Sequence, residues 1–440
     1  MAKNFDAIAN CLEPLPINEE EYVNLLEEIK NRIKQEANIS RIFDDYADKP
    51  YYFKKSGKFL TEAHTLPSIK DAASLYVLFD YLLTDNKSNF DRSKSYKSFI
   101  DGENETINNI LYSISQGEHI ESHGNIKVDF IIGSLYKIKK YFLENNKIKD
   151  IRGASSILDY LNTEATLDYL DKKYIKECAI YCGGGKVLII APEEEGQQIC
   201  EDLEKLYTEI ALTAKNAFEY ISCTLDEIAV YYNEILRELN AKLSERKKIK
   251  LYEINPDSNK LKIEIKGKTF RFEGQRIAEN GQVCYLCGIR DSKYRIPSPD
   301  GLISVCPSCL RKNTVGREKA IFYDEFEKTQ NVKMKKRLEI NSIKDIEDSR
   351  GYVALIYADG NNLGNIVKNI KTPFQHMYFS RKLEYTTKHC VYSSIYEVMG
   401  ENAVFEAICL GGDDLLIVVP ADKSLRIVDK IIDKFDKAFN

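Results

Sequence analysis

One fifteen-residue pattern occurs twice in the chain, at residues 178–192 and 406–420, and the two copies align without a gap at an offset of 228. Each copy has two apolar runs on either side of a Gly-Gly turn and ends in proline. Apolar runs joined by a short glycine turn are typical of a β-hairpin of buried antiparallel strands. Because a repeated hairpin indicates a repeated domain, we expect two copies of one α+β unit.

The second copy carries two acids at its turn, Gly411-Gly412-Asp413-Asp414. Adjacent carboxylates at the tip of an apolar hairpin are electrostatically unfavourable unless a cation neutralises them. Carboxylate oxygens are the ligands that Mg²⁺ and Mn²⁺ prefer. The sequence therefore predicts a divalent cation at Asp413 and Asp414, and a solvated turn without metal is the alternative.

In the first copy, Gly185 and Lys186 stand where the second copy has its acids. Without hairpin carboxylates this copy is not expected to hold catalytic metals. Its three-glycine turn, Gly183 to Gly185, together with Lys186 suits the binding of a phosphate group. A plain glycine turn with a solvated lysine is the alternative interpretation.

A further carboxylate, Asp359, follows an apolar strand predicted over residues 351–358. If this strand pairs beside the second hairpin, Asp359 faces Asp413 and Asp414, and three carboxylates can hold the one or two cations used in nucleotidyl transfer. An ordinary acid at a strand end is the alternative. The turn after Asp359 opens a helix, whose amides suit a triphosphate. The residues expected to surround the nucleotide are Gly360, Asn361, Asn362, Gly364, Gly411 and Gly412, with Gly183, Gly184, Gly185 and Lys186 of the first copy.

The elements around the two hairpins also appear duplicated in their spacing. Asp129, in an earlier apolar strand, lies 54 residues before Gly183, and Asp359 lies 52 residues before Gly411. The sequence predicts the same order of elements in each copy: a strand, two helices, the hairpin and another helix. This order predicts a ferredoxin-like fold with helices on one face of an antiparallel sheet.

Four of the eleven cysteines form the pattern C-x₂-C-x₁₈-C-x₂-C between the two copies. They are Cys284, Cys287, Cys306 and Cys309. Two such pairs can place four thiolates tetrahedrally on Zn²⁺ and leave no position for water, so a structural zinc site is predicted. A pair of redox-active dithiols is the alternative.

Composition limits where partners can bind. The 63 basic and 68 acidic residues give a net charge of −5, so any contact with nucleic acid must be local. The sequence shows neither an 18-residue apolar run nor a signal peptide, which predicts a cytoplasmic protein without a membrane partner. Residues 1–115 read as mainly helical, and residues 75–83 are apolar nearly all round, which predicts a buried helix.

The order of these features resembles the large polymerase/cyclase subunit of type III CRISPR-Cas effector complexes, whose palm domains are related to GGDEF cyclases. The resemblance covers residues from about 120 to 440 and depends on Asp-Gly-x-Asn-Leu-Gly at 359–364, the Gly-Gly-Asp-Asp turn and the four cysteines between the palms. The organisation that it implies is a helical N-terminal domain at 1–115, a first, non-catalytic palm at 116–250, a zinc-binding linker at 251–350 and a second palm at 351–440.

The resemblance also implies a function. Such a subunit joins ATP molecules into cyclic oligoadenylates when its complex, made with guide RNA and other subunits, holds target RNA. The expected catalytic residues and metal ligands are Asp359, Asp413 and Asp414 with Mg²⁺ or Mn²⁺. The family's N-terminal nuclease carries an adjacent His-Asp pair; none of the five histidines here precedes an aspartate, so no such nuclease is expected.

Two alternatives come from other classes of protein. A catalytically silent scaffold subunit is favoured by Asn361, which stands where the family usually has a second aspartate. The end of the chain at Asn440 favours it too, since a palm of this plan normally returns a further strand, so we expect the second palm to be truncated. A free-standing GGDEF-like cyclase would act as a homodimer, an arrangement that the internal repeat makes unnecessary.

Overall fold

The structure is a computed structural model of the 440-residue chain. It describes residues 18–36, 39–55, 58–60, 65–66, 68–145, 147–249, 261–277, 281–298, 301–318, 320–337, 343–360, 363–412 and 414–439. Within these residues every strand pair is antiparallel. Among their helices, none combines the length and the apolar character that crossing a membrane requires.

The first palm sheet has four strands, which lie in the order 4-1-3-2 when numbered along the chain. They are Lys127–Tyr136, Ala179–Gly183, Lys186–Pro192 and Lys215–Thr224. This order, with helices between strands 1 and 2 and between strands 3 and 4, confirms the predicted ferredoxin-like plan. The helices here are Ile138–Phe142, Ile148–Tyr160, Thr166–Lys173, Gly196–Ala211 and Leu225–Ile249, with a π-helical turn at Leu161–Ala165 and a 3₁₀ turn at Lys176–Cys178.

The second palm sheet has three described strands in the order 1-3-2, which is the same plan without strand 4. They are Val353–Ala358, Glu406–Gly411 and Asp414–Pro420. The helices are Leu363–Asn369, Pro373–Met399 and Ser424–Phe439, with 3₁₀ turns at Gly400–Asn402 and Ala421–Lys423. The long helix Pro373–Met399 begins where Thr372 accepts the Gln375 N–H (3.2 Å) and proline occupies the first turn, both favourable at a helix start.

The two hairpins have the same pairing register, including an irregularity in the same place. In the first hairpin the register shifts between Ala179 and Tyr181, and in the second it shifts between Ala407 and Cys409, at the same offset of 228. A bulge inserts one residue and changes the twist of a strand, so its repetition is a specific feature of the fold. The predicted duplication of the hairpin is therefore confirmed at the level of single residue pairs.

The preceding strands correct one part of the predicted duplication. Val128 pairs with Pro192 as Val353 pairs with Pro420, so the counterpart of Asp359 is Ser134 and the equation of Asp129 with Asp359 is wrong. Asp129 is instead fully buried, and it accepts hydrogen bonds from the Gly196 N–H (2.7 Å) and the Ser222 hydroxyl (2.6 Å). Its carboxylate thus stabilises the start of the helix that follows the hairpin.

The cysteine module, defined here as residues 262–316, lies between the palms in the chain. Strands Lys262–Ile265 and Lys268–Arg271 pair with each other, and Gln275–Arg276, Tyr294–Ser298 and Gly301–Val305 form a three-stranded sheet. Helix Pro307–Gly316 ends the module. It is followed by helix Ala320–Gln330 and a 3₁₀ turn at Ile343–Ile346.

The N-terminal region is mainly helical, as predicted. Its helices are Glu19–Gln35, Ile39–Ile42, Ile69–Leu83, Arg92–Asp101 and Glu105–Gln116, with 3₁₀ turns at Phe43–Tyr46 and Lys87–Asn89 and short strands at Tyr51–Tyr52, Lys54–Lys55, Lys58–Phe59 and Thr65–Leu66. The predicted buried helix lies within Ile69–Leu83. Asp71 of this helix binds Arg381 of the long second-palm helix (2.9 Å), and burial raises the pKa of Asp71 to about 6.

A close helix crossing joins the cysteine module to the first palm. A Cβ atom added to Gly153 would lie 1.9 Å from the carbonyl oxygen of Lys312, and one added to Gly316 would lie 1.8 Å from that of Lys149. No side chain fits at either position unless the backbone moves. The two glycines therefore set the distance between helices Ile148–Tyr160 and Pro307–Gly316.

Arg152, beside this crossing, connects three parts of the chain. Its Nη1 donates to both carboxylate oxygens of Glu406 in the second palm (2.7 and 2.8 Å), and its Nη2 donates to the Gly316 carbonyl (2.9 Å). The Arg152 and Glu406 side chains are only 4% and 7% exposed. A buried pair of this kind is strongly unfavourable to break, because the remaining charge stays desolvated.

We expect Arg152→Met to lower the free energy of unfolding by about 3–5 kcal/mol, because it leaves the Glu406 carboxylate buried without its cation. Urea unfolding followed by circular dichroism measures this. Arg317→Met, a change of the same kind at an exposed residue, should stay within about 0.5 kcal/mol of the wild type. Adding Glu406→Gln to Arg152→Met should recover part of the loss, and equal stability of the Arg152 and Arg317 variants would contradict the assigned role.

Candidate active site

The tips of the two hairpins face each other. A Cβ atom added to Gly412 would lie 3.9 Å from the Cα atom of Gly184. Both residues adopt left-handed backbone conformations, with φ of 58° and 53°, and Gly185 follows with φ of 76°. These conformations favour glycine, so each turn brings bare backbone close to the space between the palms.

The described acids of the second palm lie at this same end of its sheet. Ala358 pairs with Leu415, so Asp359 and Asp414 are the next opposite positions on neighbouring strands. Opposite residues of an antiparallel pair project to the same side of the sheet. Asp359 is exposed and Asp414 is half-buried. Asp413 lies outside the described residues.

The predicted phosphate cradle is described in part. Gly360 directly follows Asp359 and is half-buried, and Gly364 lies in the first turn of the seven-residue helix Leu363–Asn369. Gly411 ends one hairpin strand and pairs with Asp414. Asn361 and Asn362 lie outside the described residues. The cradle thus stays a prediction around the two described acids.

A lysine of the first palm reaches the acids of the second. Lys139 Nζ donates to the Tyr357 hydroxyl (2.6 Å), and this hydroxyl donates to Asp359 Oδ2 (3.1 Å). The hydrogen bond to Tyr357, with the negative charges of Asp414 and Asp359, raises the pKa of Lys139. Neither Lys139 nor Tyr357 was predicted as a site residue from the sequence, and the two lie 218 residues apart. No local pattern links a lysine in one domain to a tyrosine in another.

The long helix Pro373–Met399 contacts both turns. Its Thr387 hydroxyl donates to the Gly412 carbonyl (2.7 Å) and is buried. One turn earlier, the Glu384 carboxylate lies 3.5 Å from the position of a Cβ atom on Gly183. The helix therefore fixes the second turn by a hydrogen bond and approaches the first. Neither residue stands out in the sequence, because both lie within a continuous helical pattern.

The first palm presents positive groups where the second presents acids. Lys186, the counterpart of Asp414, is exposed, and Ser134, the counterpart of Asp359, accepts a hydrogen bond from Lys247 Nζ (3.0 Å). Burial, together with the charge of Lys186, lowers the pKa of Lys247. This arrangement is unsuitable for a metal cation and suitable for an anion.

Aromatic side chains line the first turn. The Tyr181 hydroxyl lies 3.2 Å and 3.1 Å from the positions of Cβ atoms on Gly183 and Gly184, so side chains there would meet the ring. The Tyr181 ring lies 5.8 Å from the ring of His376, whose Nδ1 is 3.2 Å from the Tyr232 hydroxyl. Burial, with the charge of Lys186, lowers the pKa of His376 to about 4, so this imidazole is neutral near pH 7.

The four predicted zinc ligands come together in the cysteine module. The sulfur atoms of Cys284, Cys287, Cys306 and Cys309 all lie within 4.8 Å of one another. Tetrahedral zinc with Zn–S bonds of about 2.3 Å requires sulfurs about 3.8 Å apart, so the cluster fits the ion. Within the described residues this is the one group of three or more metal-ligating side chains close enough to share an ion.

Neighbouring donors support thiolates in this cluster. Asn145 Nδ2 donates to Cys309 Sγ (3.3 Å), and Arg290 Nη1 lies 3.7 Å from Cys287 Sγ. Arg290 and the fully buried Lys312 both bind Glu144 of the first palm. Such contacts hold metal ligands in place and offset negative charge on the sulfurs. The cysteine spacing alone did not predict these partners.

The geometry defines what the space between the hairpins can bind. The second palm supplies carboxylates, the first palm supplies ammonium groups, and the glycine turns of the two palms lie close to each other. Carboxylates bind divalent cations, whereas ammonium groups and open turns bind phosphate oxygens. The arrangement therefore suits a polyphosphate bound together with a divalent cation.

Comparison with known families agrees with this geometry. Residues 352–440 match the family model of the Cas10/Cmr2 second palm domain. The predicted resemblance is confirmed. The match begins one residue before strand Val353–Ala358 and includes Asp359, Asp414 and the second hairpin. A comparison with functionally curated proteins found no match.

Solved structures extend the likeness to the fold of nearly the whole chain. The Csm1–Csm4 cassette in complex with AMPPNP contains a chain that matches with a TM-score of 0.57 and 14% identity, over 97% of this chain and 59% of that one. The Csm1–Csm4 cassette in complex with cA4 gives 0.56 and 14%, over 97% and 59%. Csm1 in T.onnurineus gives 0.54 and 13%, over 98% and 62%. At these identities the likeness shows the fold alone, and the chain spans less than two thirds of each of these chains.

Proposed function

We propose that the chain catalyses metal-dependent nucleotidyl transfer from ATP and makes cyclic oligoadenylates as a type III CRISPR-Cas large subunit in antiviral defence. The observation that carries this proposal is the position of Asp359 and Asp414, opposite each other beside two facing glycine turns. Solved structures of similar fold support it, since one is a cassette in complex with AMPPNP and another is in complex with cA4.

The second palm's acids fit the cations that this chemistry uses. Two carboxylates on adjacent strands form a donor set for Mg²⁺ or Mn²⁺, and we assign Asp413 to the same set from its place in the turn. When bound there, such a cation would offset charge on the α-phosphate and favour the deprotonated form of the attacking hydroxyl. In the proposed arrangement the donor ATP lies on the second palm and the acceptor on the first, near Lys186 and the three-glycine turn.

In the proposed reaction, a ribose hydroxyl oxygen of the acceptor forms a bond to the α-phosphorus of the donor. The bond from that phosphorus to the bridging oxygen breaks, pyrophosphate leaves, and the hydroxyl proton passes to solvent. The residues of the chain act by holding the two nucleotides in line and by stabilising charge. Ring closure repeats the step within one oligonucleotide.

The proposed setting is an RNA-guided complex in the cytoplasm. Csm4 is the second protein named in the cassette structures, and we infer that a subunit of this kind, guide RNA and target RNA are the partners of this chain. The second candidate function is a catalytically silent scaffold of the same complex. Asn361 favours it, because an amide oxygen adds no charge to the metal site.

The experiment is incubation of the purified chain with Mg²⁺ or Mn²⁺ and each labelled nucleoside triphosphate, alone and within its reconstituted complex with target RNA. Products are identified by chromatography and mass spectrometry. Cyclic products formed from ATP and not from the other triphosphates support the synthase. A folded, zinc-loaded chain without turnover in any of these conditions supports the scaffold instead.

A further inference from the structure

Lys139 is an exposed residue of the first palm that contacts the second palm. It lies in the short helix Ile138–Phe142 of the first palm and is exposed, yet its ammonium group meets Tyr357 of the second palm at 2.6 Å. A contact between two exposed side chains adds little to folding. Folding stability therefore gives little reason for a lysine next to Asp359 and Asp414.

The groups around the Lys139 ammonium indicate what it can bind. The Tyr357 hydroxyl lies between the ammonium group and Asp359, because it accepts a hydrogen bond from Lys139 Nζ and donates one to Asp359 Oδ2. The hydrogen bond to Tyr357 engages one of the three N–H donors of the ammonium group. Lys139 thus sits beside the proposed metal ligands and reaches Asp359 through the Tyr357 hydroxyl.

A polyphosphate bound at Asp359 and Asp414 would bring more negative charge than the bound cations offset. Lysine binds phosphate as a mobile point charge on a flexible stem, which suits oxygens that shift during transfer. Lys186 is exposed at the neighbouring turn of the first palm, so that turn carries a second ammonium group. The positive side of the site thus comes from the first palm and the negative side from the second.

We propose that Lys139 is a binding residue for the phosphates of the nucleotide held on the second palm, supplied across the interface by the first palm. The ligand class is a nucleoside triphosphate bound with a divalent cation, or the pyrophosphate released from it. This inference rests on the proposed function, because it assigns a substrate contact to the same site.

The test is calorimetric titration of the full chain with Mn²⁺ and an ATP analogue whose α–β bridge is a methylene group. Lys139→Met, which keeps the length and removes the charge, should weaken binding by about tenfold or more. Lys139→Arg should stay within about threefold of the wild type, since it keeps a cation. Lys140→Met, the same change on the next residue of the helix and about 100° around it, should stay within about twofold.

Two further ligands show which part of the nucleotide Lys139 contacts. Adenosine, which has no phosphate, should bind equally to the wild type and Lys139→Met, and a difference would contradict a phosphate contact. Pyrophosphate with Mn²⁺ should bind more weakly to Lys139→Met if the lysine holds the leaving phosphates; an effect on the analogue alone would assign the lysine to the α-phosphate.

The outcomes also separate this inference from the proposed function. Equal binding of the analogue by Lys139→Met and Lys140→Met overturns the role of Lys139, whether or not the wild type makes product. A second outcome is that the wild type binds the analogue, Lys139→Met does not, and the wild type makes no product. That outcome rejects the synthase and retains the phosphate contact. A wild-type chain that does not bind the analogue overturns the inference outright.

Discussion

Asp359→Asn is expected to lower the rate of nucleotide transfer by on the order of 10³–10⁵-fold, the range that one charge-stabilising group contributes in phosphoryl transfer. The amide keeps the size of the side chain and removes the charge that the cations require. Because Asp359 is exposed, the free energy of unfolding should change by no more than about 0.5 kcal/mol. The measurement is the rate of product formation from labelled ATP at saturating Mn²⁺.

Asp429→Asn provides a matched control for this change. Asp429 is an exposed acid on helix Ser424–Phe439 of the same palm, and the substitution removes the same charge. Its rate should equal that of the wild type, while Asp414→Asn should behave like Asp359→Asn. Product formation by Asp359→Asn at the wild-type rate would exclude Asp359 as a metal ligand.

Cys306→Ser is expected to abolish stoichiometric zinc binding and to unfold the cysteine module. A structural zinc site supplies on the order of 10 kcal/mol of folding free energy, and a module of short strands has little core to replace it. Its loss should also weaken the crossing of helices Ile148–Tyr160 and Pro307–Gly316, since Cys306 and Cys309 sit at the start of the second helix. Elemental analysis gives zinc content, and thermal unfolding gives stability.

Cys182→Ser is the control, because Cys182 is a half-buried cysteine outside the cluster. It should keep one zinc ion per chain and a melting temperature near that of the wild type. Removal of zinc by a chelator should lower the melting temperature of the wild type to that of Cys306→Ser. Full zinc content in Cys306→Ser, or an unchanged melting temperature after zinc removal, would show that these thiols do not build a structural site.

Much of the fold could be predicted because its signals are local. The repeated hairpin, the glycine turns and the Cys-x₂-Cys pairs each occupy a few adjacent residues, and the structure shows the duplicated sheets and the four-cysteine cluster. The order of the elements then restricted the sheet to the ferredoxin-like plan. The resemblance to the large polymerase/cyclase subunit of type III CRISPR-Cas complexes depended on the same order.

The parts that could not be predicted depend on exact register or on distant contacts. Counting residues equated Asp129 with Asp359, whereas strand pairing makes Ser134 the counterpart, because the connections between strand and hairpin differ in length. Lys139 and Tyr357 meet only because the two palms dock face to face. The Thr387 hydrogen bond depends on where a 27-residue helix passes a turn, which periodicity does not specify.

The Arg152–Glu406 pair sets an order of events while the chain is being made. The two residues are 254 positions apart, and at about 5–20 residues per second the ribosome needs about 13–50 s to produce the second after the first. During that interval the first palm can fold, but the guanidinium group of Arg152 has no Glu406 carboxylate to bind. Until the second palm emerges, the nascent first palm therefore carries the charge of Arg152 without the carboxylate that later pairs with it.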